Sequence, residues 1–382
     1  MRFVITRSFH RFRLLAVFAL LALGAGSALA EVPAAVQSKL SRGINLSFWF
    51  ANRDNPKIEP RLFWPDRSDL AQLRSIGFRH VRIPLERAWI ADPRDPSKID
   101  PAHADEFARA VELVAANQLL AVVTLTTTTD DLDRMLTDKP WRDTVAALWW
   151  SLARQLSARV PADKLVFEVI NEPATENAAA SVALMQTLAG AVRDAAPRHT
   201  IVVAGHKYSS VDELVTLKPF LDTNLVYSFH FYEPMNFTHQ GAWWGWPMWA
   251  KLRGLPYPST EALVAPLLAS LDADAQPHAR YYGQQEWNRG KLAAILDKVA
   301  QWQAQNGVPV WCSEFGAVKT NTAPASRQAW LRDTRTLLEQ RRIPWTHFDF
   351  SQHMGIVDGA QGERVWDRGA LEALGLGAPR SN

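Results

Sequence analysis

The stretch Phe167-Glu168-Val169-Ile170-Asn171-Glu172-Pro173 and the stretch Trp311-Cys312-Ser313-Glu314-Phe315-Gly316 decide the fold. Each is a short, mostly apolar run that ends in a glutamate. Pro173 follows the first glutamate, and Phe315-Gly316 follow the second, which is typical of a buried strand that ends at the protein surface. Similar short β-branched or aromatic runs occur along most of the chain. The fold prediction therefore begins with counting these strand candidates.

Eight such runs are found. They lie near Gly43–Phe48, His80–Pro84, Leu119–Leu125, Leu165–Ile170, Thr200–Ala204, Leu225–Phe231, Val308–Trp311 and Ile343–Phe350. Helical patterns separate many of them, at Ala104–Asn117, Thr144–Ala158, Val182–Ala195, Lys291–Asn306 and Arg327–Arg341. Eight strands alternating with helices predict an α/β protein of the (β/α)8 TIM-barrel class. A doubly wound open sheet is the structural alternative, but no Gly-x-Gly-x-x-Gly follows the first strand candidate.

The amino-terminal 30 residues predict a signal peptide. They contain four arginines and no acidic residue, an apolar run from Leu14 to about Leu23, and a small-residue ending Ala28-Leu29-Ala30. The apolar run is too short for a comfortable membrane span, although an uncleaved anchor is the alternative. We therefore expect a secreted protein, periplasmic or extracellular, with no stable membrane span after cleavage. Residues 31–382 are expected to form one catalytic domain, with an elaborated loop at about 233–290 that is rich in tryptophan.

The composition excludes several other classes. Hydrophobic residues make up 47% of the chain and charged residues 21%, which excludes disordered and collagen-like chains. The formal net charge of +3 comes from the amino-terminal arginines, and the rest of the chain has no basic stripe, so nucleic acid is not an expected partner. Cys312, the single cysteine, cannot form an intramolecular disulfide. No His-Glu-x-x-His and no EF-hand pattern is present, so we expect no metal and no cofactor.

The two strand-end glutamates indicate a chemistry. Barrel enzymes carry their active sites at the carboxyl ends of the strands, where Glu172 and Glu314 are expected to meet. Two carboxylates in one cleft are what glycoside hydrolysis needs, since one protonates the leaving oxygen while the other attacks or stabilises the sugar carbon. Either glutamate alone could instead cap a helix or form a salt bridge. Glu168 lies four residues before Glu172, and we expect it to be an inward, salt-bridged structural carboxylate.

The order of the motifs resembles glycoside hydrolase family 5, the cellulase family of the retaining (β/α)8 glycosidases. The motifs are Arg42-Gly43-Ile44-Asn45, Gly77-Phe78-Arg79-His80-Val81-Arg82-Ile83-Pro84, Phe167 to Pro173, His230-Phe231-Tyr232 and Ser313-Glu314-Phe315-Gly316. The resemblance implies that Glu172 is the acid/base and Glu314 the nucleophile. It also implies that Arg82 lies near the nucleophile, that Asn171 holds the sugar 2-hydroxyl, and that His230 and Tyr232 line the catalytic subsite.

Two positions depart from the family pattern. The third strand candidate ends in Leu125-Thr126-Thr127-Thr128, without the histidine that is common there. The eighth reads Trp345-Thr346-His347-Phe348, with Phe348 where the family commonly has a second tryptophan under the sugar. Either Phe348 provides a smaller stacking face, or Trp345 replaces it. These changes leave the identity of the sugar open.

The loop after the sixth strand candidate gives a further indication of substrate. Trp243, Trp244, Trp246 and Trp249 lie within seven residues. Flat aromatic faces suit sugar rings, so Trp243, Trp244 and Trp246 are candidate substrate-binding residues. The alternative is a hydrophobic plug under a long loop.

Together these features predict a monomeric retaining endo-β-glycanase that hydrolyses β-1,4-glucan, with a polysaccharide or oligosaccharide as its partner. A hydrolase for mannan, xyloglucan or β-1,3-glucan and a transglycosylase are the alternatives within enzymes. A non-catalytic glycan-binding barrel is the alternative from another class, although such a barrel would be expected to lack one of the glutamates. Endo and exo action are not distinguished by the sequence.

Overall fold

The eight strand candidates form one closed parallel barrel in a computed structural model that describes residues 31–51 and 64–379. In chain order the strands are β1 Arg42–Asn45, β2 His80–Glu86, β3 Leu120–Thr126, β4 Leu165–Glu168, β5 Thr200–Ala204, β6 Leu225–Phe231, β7 Val310–Phe315 and β8 Trp345–His347. Each strand pairs in parallel with its sequence neighbours, and β1 closes the barrel against β8. The predicted TIM-barrel class is confirmed. The predicted signal peptide lies outside the described residues.

Helices cover the outside of the barrel. The longer ones are Arg67–Ile76, Pro101–Ala116, Thr129–Thr137, Lys139–Arg159, Ala178–Ala195, Gln276–Gln284, Arg289–Asn306 and Pro324–Gln340. Short helical turns lie at Ala34–Lys39, Arg87–Ile90, Val211–Leu214, Met235–Thr238, Glu261–Val264 and Arg368–Ala373. Three 3-10 segments span Pro247–Lys251, Ala265–Ser270 and Gln352–Met354, and two hairpins pair Ala91–Asp92 with Asp95–Ile99 and Val357–Asp358 with Val365–Trp366. No helix within the described ranges is both long and apolar enough to cross a bilayer.

Helix ends follow from local side chains. Asp100 accepts hydrogen bonds from the amides of Ala102 and His103, and Pro101 occupies the first helical position, where its missing amide costs nothing. Asp66 and Asp69 form a reciprocal capping box at the start of Arg67–Ile76. Such caps fix where each helix begins and therefore the length of the loop that precedes it.

The barrel interior has two layers of different character. At the amino-terminal end of the strands, the apolar side chains Val32, Val36 and Leu40 plug the interior against Leu120, Val122, Val166, Val202, Val226 and Trp311. Gly43 lets β1 approach β2 closely, since a Cβ atom there would lie 1.9 Å from His80 Nε2. At the opposite end the inward side chains are polar, and this end carries the site.

Candidate active site

The two glutamates lie in one cleft at the carboxyl end of the barrel. Glu314 is near the end of β7, and Glu172 follows β4 by four residues. A carboxylate oxygen of each glutamate and a ring nitrogen of His230 all lie within 4.8 Å of one another. The predicted meeting of Glu172 and Glu314 is therefore confirmed as geometry.

Glu314 is held by two donors. Arg82 Nη1 donates to Oε1 at 2.7 Å, and the Tyr232 hydroxyl donates to Oε2 at 2.7 Å. One carboxylate oxygen is thus paired with a cation, and the other accepts a hydrogen bond from a hydroxyl. Both Arg82 and Tyr232 hydrogen-bond to Glu314, and no hydrogen bond from either to Glu172 is found among the described residues; Arg82 thus lies next to the expected nucleophile.

Glu172 has a different environment. Its Oε1 lies 2.7 Å from His230 Nδ1, and its side chain is 32% exposed, against 8% for Glu314. Its backbone has a φ of 43°, a left-handed conformation that costs a non-glycine residue free energy and is often found at functional sites. His230 Nδ1 also lies 3.5 Å from Glu314 Oε2, so this titratable ring contacts both glutamates, whereas the permanent cation of Arg82 hydrogen-bonds to Glu314 alone of the two.

Arg82 organises the floor of the cleft. Its fully buried guanidinium donates to Glu168 at 2.5 Å, to Asn45 at 2.9 Å and to Asn171 at 2.7 Å, besides Glu314. Burial lowers the pKa of Arg82, but the charges of Glu168 and Glu314 outweigh it and raise that pKa above its ordinary value. The prediction that Glu168 is an inward, salt-bridged carboxylate is confirmed.

Asn171 reaches the cleft because the strand ends early. Regular pairing of β4 stops at Glu168, and the Asn171 amide then donates to the Leu125 carbonyl at 2.8 Å. Its side-chain oxygen accepts from Arg82, so the alternation of a strand no longer determines where the side chain points. Asn171 and Glu172, although adjacent, thus both line the cleft.

His230 and Tyr232 complete the predicted set. Burial lowers the pKa of His230, but the neighbouring charges of Glu314 and Glu172 raise it more, so the net shift is upward. Burial and the Glu314 charge raise the pKa of the Tyr232 hydroxyl well above its usual range, so it remains a donor. A register shift between Phe229 and His230 sets His230 opposite Glu314 on β7.

The cleft has a volume of about 1040 Å³. Besides the predicted residues, it is lined by several that sequence reasoning did not select, namely Ser47, Pro84, Glu86, Thr126, Thr127, Thr128, Lys207, Tyr208, Glu233, Met235 and His239. Their positions directly after strand ends were the available signal, since every loop that follows a barrel strand reaches this face. The threonines occupy the position where the family histidine is missing.

The prediction for Trp345 is wrong. Its indole is fully buried, packs edge-on against Phe78 and Phe315, and donates to Glu339 at 3.3 Å. It therefore lies in the packed core and not in the cleft. Phe348, in contrast, lines the cleft and meets Tyr232 with ring centroids 6.3 Å apart.

The tryptophans of the loop after β6 divide into two groups. Trp244, Trp246 and Trp249 line the cleft, and Trp249 stacks on His239 at 4.5 Å. Trp243 is not among the lining residues, and its indole donates to His353 at 3.0 Å. Trp243, which the sequence suggested as a substrate-binding residue, is therefore not among the residues that line the cleft. Sugar binding by Trp244 and Trp246 stays a prediction.

A metal could find ligands at one place among the described residues, the cluster of Glu172, His230 and Glu314. Both oxygens of Glu314 already bond to Arg82 and Tyr232, so a cation would have to compete with a buried guanidinium. The donor set fits proton transfer better than metal binding.

Comparison with known proteins agrees with the geometry. The family model described as cellulase, glycosyl hydrolase family 5, matches residues 40–354. The chain belongs to glycosyl hydrolase family 5. The match includes every residue of the site described above.

Two curated relatives are endoglucanases by name. Endoglucanase 3 of Fibrobacter succinogenes is 27% identical over 89% of this chain, and the chain spans 53% of that protein, about half its length. Endoglucanase C of Acetivibrio thermocellus is 24% identical over 79% of this chain and 88% of its own length. Among solved structures, endoglucanase Cel5A from Thermotoga maritima aligns with a TM-score of 0.72 at 22% identity, covering 89% of this chain and 98% of that one. This likeness supports the barrel fold.

Proposed function

We propose that this family 5 glycoside hydrolase is a retaining endo-β-glycanase that cleaves β-1,4-glucan. The observation that carries the proposal is the pair of carboxylate oxygens of Glu172 and Glu314, which lie within 4.8 Å of each other at the barrel mouth. Carboxyl groups about 5 to 5.5 Å apart are typical of retaining glycosidases, whereas inverting enzymes need about 6.5 to 9.5 Å for a water molecule. The endoglucanase names of the relatives support glucan as the substrate class.

In the first step of the proposed reaction, Glu314 attacks the anomeric carbon of the sugar. The bonds from Arg82 and Tyr232 hold the Glu314 carboxylate in place for this attack. As the bond from the anomeric carbon to the glycosidic oxygen breaks, Glu172 gives its proton to that oxygen. The leaving chain departs as an alcohol, and the sugar remains as an ester of Glu314.

In the second step Glu172 acts as a base. It accepts a proton from water, the water oxygen attacks the anomeric carbon, and the ester bond to Glu314 breaks. Glu172 is then protonated and Glu314 ionised, so both are restored. His230, 2.7 Å from Glu172, orients this carboxyl in both steps.

Two further features extend the proposal. The amino-terminal 30 residues, with their arginines and the Ala28-Leu29-Ala30 ending, support secretion as the route of this enzyme. Trp244, Trp246 and Trp249 line the cleft and support binding of a chain of several sugars, since aromatic rings suit the apolar faces of pyranose rings.

Kinetics of single variants test the two roles. Glu314→Ala should lose turnover on all substrates, because no ester can form. Glu172→Ala should retain the first step on an aryl cellobioside whose leaving group needs no proton, and azide should restore release of the sugar as a glycosyl azide. Equal losses in both variants, with no azide rescue, would contradict the division of roles.

Reducing-sugar release from a panel of polysaccharides tests the substrate. Mixed-linkage and hydroxyethyl-substituted β-1,4-glucans should be hydrolysed faster than mannan, xyloglucan or β-1,3-glucan, and viscosity should fall early if cleavage is internal. Preference for a polymer without β-1,4-glucosyl bonds would overturn the substrate assignment but not the two-glutamate mechanism.

A further inference from the structure

Of the described residues, four glutamates line the cleft, and two of them have no role in the proposed mechanism. These two are Glu86 and Glu233. Glu172 contacts His230, and Glu314 contacts Arg82, so each catalytic glutamate has a basic partner. Neither Glu86 nor Glu233 forms an ion pair with any lysine, arginine or histidine in residues 31–51 and 64–379. They are therefore carboxyl groups without a basic partner among the described residues.

Glu233 is built into the wall directly beside the catalytic machinery. It follows Tyr232, its Oε2 accepts from the Tyr232 amide at 3.1 Å, and its own carbonyl accepts from the Trp330 indole at 3.0 Å. Burial raises the pKa of the Glu233 carboxyl, and the charge of Asp212 adds to the shift. A partly buried carboxyl group that accepts a hydrogen bond from one backbone amide retains acceptor capacity toward the cleft.

Glu86 occupies the opposite side of the mouth. It is the last residue of β2, it is partly buried, and its amide donates to the Phe50 carbonyl at 3.0 Å. In a closed barrel of eight strands, β2 and β6 are four positions apart in either direction. Glu86 and Glu233 therefore stand on opposite walls, with Glu172 and Glu314 between them.

One basic side chain stands against this arrangement in the part of the chain that the structure describes. It is Lys207, the sole lysine or arginine among the described lining residues, and its ammonium already lies 2.9 Å from Glu176 and 3.0 Å from Glu213. A cleft with low-dielectric walls and charges of one sign concentrates the field that an entering ligand meets. A glycan that carries carboxylates would meet like charges on both walls.

We propose that Glu86 and Glu233 determine specificity for uncharged glycans: each accepts hydrogen bonds from sugar hydroxyls and repels carboxylate-bearing chains. This inference rests on the proposed function in taking a β-glycan as the ligand. Ionised carboxylates are strong acceptors for vicinal hydroxyls, and an amide in the same place would keep one acceptor while losing the charge.

Two polymers with the same β-1,4-glucan backbone test the proposal, hydroxyethylcellulose as the uncharged one and carboxymethylcellulose as the anionic one. Glu86→Gln and Glu233→Gln should each raise the ratio of kcat/KM on the anionic to that on the uncharged polymer by about 3- to 10-fold at low salt. The gain should shrink at about 0.5 M NaCl, where exposed charges are screened beyond a few ångströms. Glu372→Gln is the matched control, since Glu372 is exposed on the short helix Arg368–Ala373, away from the cleft lining.

A binding measurement separates charge selectivity from catalysis. The Glu314→Gln variant is run by affinity electrophoresis through gels that contain either polymer. We expect hydroxyethylcellulose to retard this variant more than carboxymethylcellulose does. In the double variant Glu314→Gln/Glu233→Gln, the difference in retardation between the two polymers should be smaller. This outcome supports the inference even if hydrolysis of β-1,4-glucan is not observed, which would overturn only the proposed function. The inference would be overturned by equal retardation in both gels or by no retardation in either. It would also be overturned if Glu372→Gln changed the ratio of kcat/KM values as much as the cleft variants do.

Discussion

At the amino-terminal end of the barrel, Val32, Val36 and Leu40 close the interior against aliphatic side chains and Trp311, whereas at the carboxyl end the interior opens into a cleft lined by glutamates. Both ends are built from the same eight strands. The apolar end removes surface from water and so stabilises the fold. The polar end buries the charges of Arg82, Glu168 and Glu314, and the desolvation of these charges opposes folding.

The largest effect is expected when the polar end loses its cation. Arg82→Met leaves Glu168 and Glu314 buried without a counter-charge, which should cost about 3 to 5 kcal/mol of unfolding free energy. Activity should fall by about 1,000-fold or more, because Glu314 loses the charged donor that holds its carboxylate in place. Urea unfolding and reducing-sugar assays measure the two effects.

A second variant separates the loss of stability from the loss of activity. Arg82→Met combined with Glu168→Gln removes one of the two stranded charges, so it should regain part of the stability and none of the activity. If Arg82→Met alone unfolds at the wild-type urea concentration, the account of the polar end is wrong.

At the apolar end, Leu40→Ala should change stability alone. Leu40 is 1% exposed in the plug, and a buried leucine truncated to alanine typically costs about 2 to 5 kcal/mol. The folded enzyme should keep its kcat and KM, because the cleft is at the other end of the strands. A loss of kcat in protein that is fully folded at the assay temperature would show that the two ends are coupled.

Asp349 offers a pH-dependent test at the polar end. Burial raises the pKa of Asp349 to about 8, against the small opposing effect of the Phe350 and Ser47 amides. The unfolded chain ionises near pH 4, so between pH 4 and 8 the native state holds a proton that the unfolded state has lost, and stability falls as pH rises.

Asp349→Asn should abolish this component. Relative to the wild type, the variant should become progressively more stable as the pH rises from 4 to 8, by about 1.4 kcal/mol per pH unit, as judged by urea unfolding at several pH values. The asparagine oxygen can keep both backbone hydrogen bonds. A difference between the two proteins that does not vary with pH would contradict the proposed protonation of Asp349.

The smallest effect is expected in the tryptophan loop. Trp246 lines the cleft and is 42% exposed, so Trp246→Ala should raise KM on a polymer by roughly 3- to 10-fold, with little change on a short aryl glycoside. Trp243→Ala is the control, since Trp243 is equally exposed but outside the cleft lining. A fall in melting temperature with equal losses on both substrates would favour the hydrophobic plug over the binding platform.

The sequence alone was enough to predict the eight strands, their order, and the end of the barrel at which Glu172 and Glu314 lie. The physical reason is that these features are local. A buried parallel strand reads as a short apolar run whatever its partners are, and the residue that ends it must lie at the carboxyl edge of the sheet. Glu168 could be placed inward by the same alternation, and the structure agrees.

Which side chains point into the cleft and which into the core was decided by the tertiary structure. Trp345 and Phe348 are three residues apart, and no pattern distinguishes them, yet the packing of Phe78 and Phe315 takes Trp345 into the core and leaves Phe348 in the cleft. Trp243 and Trp244 divide in the same way. The charges that face each other across the mouth, Glu86 and Glu233, are separated by more than 140 positions in the sequence. Only closure of the barrel brings residues so distant in the chain to one cleft, because closure is set by the pairing of all eight strands and not by any one of them.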